Sequence, residues 1–552
     1  MLVFNWMSAQ HLISTKPLQS GETINIFCDR ALYGVSENIY FTAFYKQPSQ
    51  VKHSPWSTVL YAELIRWDGT KLAQQKVRIK NGFADGCMTI PENMKSGNYY
   101  LRVYTRWMRN YSPYAYSNFP IKIINPYIAE IDEGPVSNEQ DVQILKVQKS
   151  NISEDIVFAG IEKRYGTRQL VEFELSILDK QLSGPYCLSV AMSQNREEVT
   201  GSIDFSGYEN DDSIKEIEFL PEIRGVSLSG KVIDRDTQQP LARESITLTS
   251  SLKPFYYSQI ISNSSGDFIF SIPGYIGIHQ FCIGAGNSSS NKVEFLINSD
   301  YCNQAISLPF VPFELTREEM RVAKEIISNT QLLNKYSRIR ESAAIEEEYP
   351  PFYGKSQSTT YIKDYIELVD LKEFFFELIP DVYIKYNNRK PYLELIDMGG
   401  LTTSSPMVLL DNIPVGNDES LLSISPRNIE RIEVINGGYI VGKNRYSGII
   451  SIYSNHGDLA GMELPENTKF FNYNLLSSKK FSFPDYSKNS NSRKADTRNL
   501  LYWSPYIELS DEAAQRISFY TSDAIGEYTV TLQGIDESGS SIVYGQSHFT
   551  VE

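Results

Sequence analysis

The residues able to do metal, nucleophilic or acid–base chemistry are few and far apart. The five histidines (His11, His53, His279, His456, His548) stand alone, with no HExxH pair, no glutamate three positions on and no second histidine within a helical turn. Spacing therefore forms no zinc-binding pair. The five cysteines (Cys28, Cys87, Cys187, Cys282, Cys302) make no CxxC and no Cys/His cluster, so no structural zinc site is expected. No G-x-S-x-G elbow, P-loop or G-x-G-x-x-G run occurs, which removes the common nucleophile turn and phosphate cradles. Carboxylate pairs such as Asp211-Asp212 and Glu197-Glu198 sit in polar, turn-like sequence and read as solvated faces. The expectation is a chain without catalytic residues, cofactor or bound transition metal. Binding is the chemistry left, and Trp107, Tyr111, Tyr114 and Tyr116 are the candidate contact residues, because Trp and Tyr are enriched at binding hot spots. The competing reading is an aromatic corner packed into a core. The cysteines read as buried thiols, with Cys28–Cys87 and Cys282–Cys302 disulfides open to an oxidising compartment and Cys187 left over.

The elements that must position these side chains are mostly strands. At 552 residues the chain should hold three to five domains, at ~100 to 200 residues each. Hydrophobic residues make up 41%, and no window approaches the ~18 apolar residues of a membrane-spanning helix. The net charge is -15, from 52 Lys and Arg against 67 Asp and Glu. There is no basic footprint for a polyanion, so nucleic acid is not an expected partner. The 36 tyrosines and 27 phenylalanines fall largely on short alternating runs, as in β-sandwiches. The fold class read here is mainly β, with several sandwich domains and one small α/β unit. Met1–Gln10 runs apolar into Ser8-Ala9-Gln10, which reads as the tail of a signal peptide whose start lies upstream, with a mature chain beginning near Gln10 or His11.

The α/β unit is read from Pro406–Tyr453. Three apolar, β-branched runs (407–413, 429–435, 449–453) are separated by turn residues and by a short helical turn that must close before Pro426. Upstream, Asp370 and Glu373 are in capping geometry for a helix LKEFFFELI that Pro380 stops, and VYIKYNNRKPYLELID reads as a hairpin. The order "Asp-Asn-Ile-Pro-Val … Ile-Glu-Arg-Ile-Glu-Val-Ile … Gly-Gly … Ser-Gly-Ile-Ile-Ser-Ile-Tyr" resembles the plug domain of TonB-dependent outer-membrane receptors over residues 361–461. Residues 18–126, carrying YTRWMRN and closing on IINP, resemble the second macroglobulin-type domain of envelope proteins. Their covalent capture needs a thioester run, Gly-Cys-Gly-Glu-Gln, that does not occur here. Residues 226–310 (SGKVIDRDTQQPLARESITLTS … SGDFIFSIPG) resemble the carboxypeptidase-regulatory-like domain, a prealbumin-type sandwich that accompanies catalytic units. Residues 496–552 resemble a closing macroglobulin-like domain which, at that size, is expected to borrow a strand from 469–476. Residues 127–222 read as a further sandwich, 462–495 as a linker and 1–17 as a tail; 311–360 reads as an amphipathic helix and linker, the helix opening with Thr316 and Glu319 in capping-box spacing and carrying Met320, Ala323, Ile326 and Ile327 on its apolar stripe.

A plug fills a ~22-stranded barrel, and the 91 residues after Gly461 (552 less 461) would not build one. The expectation is a non-catalytic envelope binding or scaffold protein. It would be exported to the periplasm, outer membrane or cell surface, and would present its plug-like unit to a protein partner in the outer membrane. An accessory role in a TonB-dependent uptake system is the alternative, and a peptidase-associated envelope protein the remote one. Asp212-Ser213-Ile214 resembles a bacterial O-glycosylation sequon.

Overall fold

The computed structural model describes residues 21–47, 56–134, 153–193, 217–250, 255–286, 292–336, 351–365, 368–395, 405–415, 419–441, 444–463, 467–477, 481–487, 495–536 and 542–552. His11, His53, the signal-like start and the Asp212 sequon lie outside these residues. The chain is mainly β and falls into two compact units: residues 1–225, 301–342 and 476–552, and residues 226–300 and 343–475.

The first unit holds two sandwiches. In one, a sheet of Thr23–Cys28, Asn38–Lys46 and Phe83–Thr89 accompanies a five-stranded sheet ordered Leu32–Gly34, Ser117–Ile124, Gly97–Thr105, Val59–Ile65, Lys71–Arg78. Ile26, Phe41, Ala43, Leu60, Leu64, Leu101 and Val103 are fully buried, and Val59–Ile65 is buried at every position, on both faces of its sheet. The Phe41 ring lies across its cross-strand partner Gly86, where a Cβ would stand 2.2 Å from it. Only glycine admits that approach.

The second sandwich departs from the sequence reading. Its five-stranded sheet runs Arg164–Tyr165, Ile542–Val551, Gly526–Ile535, Gly184–Met192, Leu500–Leu509, and its three-stranded sheet runs Gln515–Tyr520, Leu170–Ile177, Ile156–Ala159. Residues 127–222 and 496–552, read as separate domains, thus contribute strands to the same two sheets. The physical reason is size. Four C-terminal strands leave open edges and half a core, and Gly184–Met192, buried along nearly its whole length, fills the centre of the sheet between Leu500–Leu509 and Gly526–Ile535.

Helix Arg317–Tyr336 starts from a capping box: Glu319 N donates to Thr316 Oγ1 at 3.1 Å, and Thr316 N to Glu319 Oε2 at 2.8 Å. It packs Val322 and Ile326 into this second core, while Met320, expected on the apolar stripe, is exposed. Residues 301–310, assigned by sequence to the prealbumin-like sandwich, instead lie on the first sandwich. There Ile306 and Leu308 pack with Ile65 and Tyr100, and the Tyr100 hydroxyl donates to Pro309 O at 2.8 Å. Among the described residues no helix is long and apolar enough to cross a membrane.

The second unit holds a sandwich and the α/β fold. The sandwich has one sheet of Asp267–Ile272, Val226–Asp234 and Val293–Ile297, and another of Tyr257–Ile261, Ser245–Ser250, Ile278–Ala285 and Thr468–Asn474. The last strand lies in the stretch read as linker, and it completes this sheet, pairing Ile278 with Asn474 through Gly284 with Thr468. It does not lend itself to residues 496–552. The edge of Ile278–Ala285 is what it covers, and bare edges are costly to leave.

The α/β fold has a mixed sheet ordered Ser358–Tyr361, Ile429–Val441, Asn444–Ser454, Met407–Leu410, Ile413–Pro414, with Met407–Leu410 parallel to Asn444–Ser454. Helices Leu371–Leu378 and Glu419–Leu422 and the hairpin Val382–Asn387/Lys390–Leu395 complete it. Its core joins Leu371, Phe374, Phe375, Leu393, Leu410, Leu422, Ile432 and Ile450.

Candidate protein-interaction site

The aromatic residues singled out by sequence are mostly interior. Trp107, Tyr111 and Tyr116 are 6%, 5% and 2% exposed. Trp107 meets Trp56 edge-on at 5.3 Å, and Tyr116 stacks on Tyr104 at 4.5 Å. The Tyr116 hydroxyl donates to Cys302 Sγ at 3.5 Å. Tyr114 is half-buried and exchanges hydrogen bonds with the Ser307 backbone. The packed-corner reading describes these side chains. Aromatic rings whose hydroxyls are satisfied inside the protein cover apolar surface instead of offering it.

Cysteine and histidine chemistry is equally muted. All five cysteines are buried free thiols. Cys28 and Cys87 sit on strands separated by Asn38–Lys46, about 10 Å apart at two strand spacings, beyond the ~7 Å Cα limit for a bridge. Burial pushes the Cys28 and Cys187 thiols well up and Cys282 to about 12, so none of these three is a thiolate nucleophile at neutral pH. His279 bonds the Ile276 carbonyl at 2.7 Å and His548 the Thr529 hydroxyl at 3.1 Å. Among the described residues no group of three or more His, Cys, Asp or Glu side chains could hold a metal ion.

In the α/β fold the Asp411-Asn412 pair forms a two-residue turn with φ of 48° and 66°, closing Leu410 on Ile413. Asn and Asp are the non-glycine residues that best tolerate this backbone. The buried Asp411 carboxylate accepts from Ser454 N at 2.7 Å, Ser454 Oγ at 2.6 Å and Leu459 N at 2.8 Å. It staples the end of the central strand, and its accepting capacity is committed to structure. On the sheet's other face, Tyr353 donates to Glu433 Oε2 at 2.8 Å and meets the Tyr453 hydroxyl at 2.5 Å. The Arg431 guanidinium lies 3.7 Å over the Tyr453 ring and bonds Glu433 at 2.9 Å. Burial raises both tyrosines. This network locks the sheet and presents no free acid or base.

The fold exposes Tyr361, Tyr365, Val369 and Ile440, and a further outward face lies on its helix and hairpin. Helix Leu371–Leu378 is capped by Asp370, which accepts from Glu373 N at 2.8 Å, while Glu373 accepts from Val369 N at 2.9 Å. Three consecutive phenylalanines cannot share one face at ~100° per residue. Phe374 and Phe375 turn inward, and Phe376 is 80% exposed. One turn back on the same face, Lys372 Nζ stands 5.5 Å over the ring of Tyr386, itself exposed on the hairpin. Tyr383, also exposed, points from the hairpin's opposite face. The hairpin turns through Asn388 and Arg389, both at positive φ. Among the described residues no third strand joins this hairpin. Sequence reasoning placed this helix and hairpin but missed Phe376. The run Phe374-Phe375-Phe376 was the signal that could have found it.

Against solved structures, the chain aligns over 96% of its length with Escherichia coli alpha-2-macroglobulin activated by porcine elastase, at 9% identity and a TM-score of 0.23, spanning 44% of that chain. Salmonella alpha-2-macroglobulin reacted with methylamine gives 9% identity and 0.23 over 96% of this chain and 39% of that one. The Yersinia pseudotuberculosis adhesin InvE gives 10% and 0.13 over 53% and 65%. The chain thus spans less than half the length of the macroglobulins. Comparison with curated proteins gives no match. Residues 360–447, which contain the capped helix, the hairpin and most of the mixed sheet, match the model of the TonB-dependent Receptor Plug Domain.

Proposed function

We propose that this chain is a non-catalytic scaffold of the bacterial cell envelope that presents its plug-like fold to a protein partner in the outer membrane. The observation that carries the reading is the helix–hairpin face, where Phe376 is 80% exposed near the exposed Tyr386, while Asp411 and the Tyr353–Glu433–Tyr453 network are committed internally. Aromatic side chains on an outward face are the residue type enriched where proteins bind one another. The sandwiches serve as spacers in this reading. The one spanning residues 18–126 is of the second macroglobulin type, and the one beginning at Val226 is carboxypeptidase-regulatory-like. The chain is exported and works without metal or cofactor. The family match of residues 360–447 also supports a second role, as an accessory component of a TonB-dependent uptake system. The test is affinity capture from envelope extracts with the full-length chain and with Phe376→Ser/Tyr386→Ser. An outer-membrane protein held by the first and lost by the second supports the proposal. Equal capture by both excludes this face.

A further inference from the structure

We infer that the Thr105–Asn110 corner of the first sandwich is a peptide-recognition site. The chain's own segment Glu218–Gly225 occupies it as an intramolecular strap, and it takes extended peptides with an aromatic residue three positions ahead of a glutamate. The Asn110 carboxamide reads backbone alone: its Oδ1 accepts from Glu218 N at 2.9 Å and Phe219 N at 2.8 Å, and its Nδ2 donates to Phe219 O at 2.7 Å. The same Nδ2 donates to Trp107 O at 2.9 Å, which fixes the carboxamide's orientation.

The Phe219 ring lies under the Arg109 guanidinium at 3.9 Å, with that of Arg106 at 5.8 Å. Both arginines are buried, where a cation on a ring face is worth most. Three residues on, Glu222 is 2% exposed. Both its carboxylate oxygens stand 3.0 Å from the Tyr61 hydroxyl, and its carbonyl accepts from Thr58 N at 2.8 Å and Thr58 Oγ1 at 2.6 Å. Thr58 Oγ1 in turn accepts from Gly225 N at 3.2 Å.

Leu220 and Ile223, 56% and 45% exposed, point away from the corner. The segment is therefore held by the Thr58 amide and by side chains that read its backbone, one ring and one carboxylate, with no sheet ladder over residues 217–222. That is how a groove recognises a peptide, and tethering at ~mM effective concentration keeps it filled in cis.

The test uses the full-length chain with Phe219→Ala/Glu222→Gln, which loosens the strap, and a fluorescein-labelled peptide of the sequence IEFLPEIRG. Anisotropy should show saturable binding to this variant and at least roughly tenfold weaker binding to the wild-type chain. Adding Asn110→Ala should lower the affinity roughly tenfold or more, because it leaves peptide amides without acceptors. A peptide with alanine for its phenylalanine should not bind. Circular dichroism and melting establish that each variant is folded, and Phe219→Ala alone serves if the double variant is not. A folded, loosened variant that fails to bind overturns the inference. So does a wild-type chain that binds equally tightly, or an affinity indifferent to Asn110.

Discussion

Replacing Asp411 by alanine removes the acceptor for Ser454 N, Ser454 Oγ and Leu459 N and places a residue without a side-chain hydrogen bond at a φ of 48°. Unsatisfied buried donors and left-handed backbone together cost about 3 kcal/mol, so Asp411→Ala should lower the urea midpoint of the second unit. A change below about 0.5 kcal/mol would show that the carboxylate is dispensable. Asp29 is the complementary case, a buried acid whose pKa burial lifts to about 6. Arg30 stands 3.5 Å away but is shared with Glu37 at 3.0 Å, so its charge does not undo the desolvation. The folded pKa lies above the unfolded value, so the group's stabilisation is complete below about 4 and is lost as pH rises through 6. Stability of the first unit should therefore gain up to about 3 kcal/mol from this group between pH 7.5 and pH 4. Asp29→Asn keeps an acceptor for Tyr40 N and the Tyr33 hydroxyl, and it should flatten that slope in urea titrations at several pH values. Identical slopes in wild type and variant would assign the pH dependence elsewhere. Phe376→Ser, on an exposed position, should change stability by less than about 0.5 kcal/mol while weakening partner capture.

At the scale of elements, the strands Leu500–Leu509, Gln515–Tyr520, Gly526–Ile535 and Ile542–Val551 share their sheets with Ile156–Ala159, Leu170–Ile177 and Gly184–Met192. A fragment of residues 496–552 expressed alone should give a coil-like circular dichroism spectrum without a thermal transition. A cooperative melt would mean that the C-terminal strands close a core of their own. Local pattern carried the sequence reading far. Alternation placed the strands of the first sandwich, and the spacing of Thr316 and Glu319 found the start of the long helix; of the three apolar runs of the α/β fold, 429–435 and 449–453 lie on strands, while 407–413 is split by the Asp411-Asn412 turn. What alternation does not encode is the partner of an edge. The union of residues 153–193 with 496–552 spans more than 300 positions, and the pairing of Thr468–Asn474 with Ile278–Ala285 nearly 200. Side-chain pattern on Thr468–Asn474 is weak, with only Tyr473 buried, so backbone pairing decides its place. The candidate site was half legible. The capped helix and the hairpin followed from Asp370, Glu373 and Pro380, but Trp107, Tyr111 and Tyr116 were chosen by residue type, and type alone does not separate a packed corner from an open face.

Two compact units give the whole molecule two places to respond. Asp29→Asn and Asp411→Ala should each shift the stability of its own unit, so hydrogen exchange after either substitution should change protection mainly within residues of that unit. Binding of a protein partner by the helix–hairpin face of the plug-like fold is best measured where the chain resides. A photo-crosslinking amino acid at position 376, with a second variant carrying it at exposed Leu178 of the first unit, can be irradiated in cells and the adducts identified by mass spectrometry. Position 376 should give one dominant adduct to an outer-membrane protein, and position 178 none to that protein. Adducts from position 376 confined to this chain, or the same adducts from both positions, would contradict binding by this face.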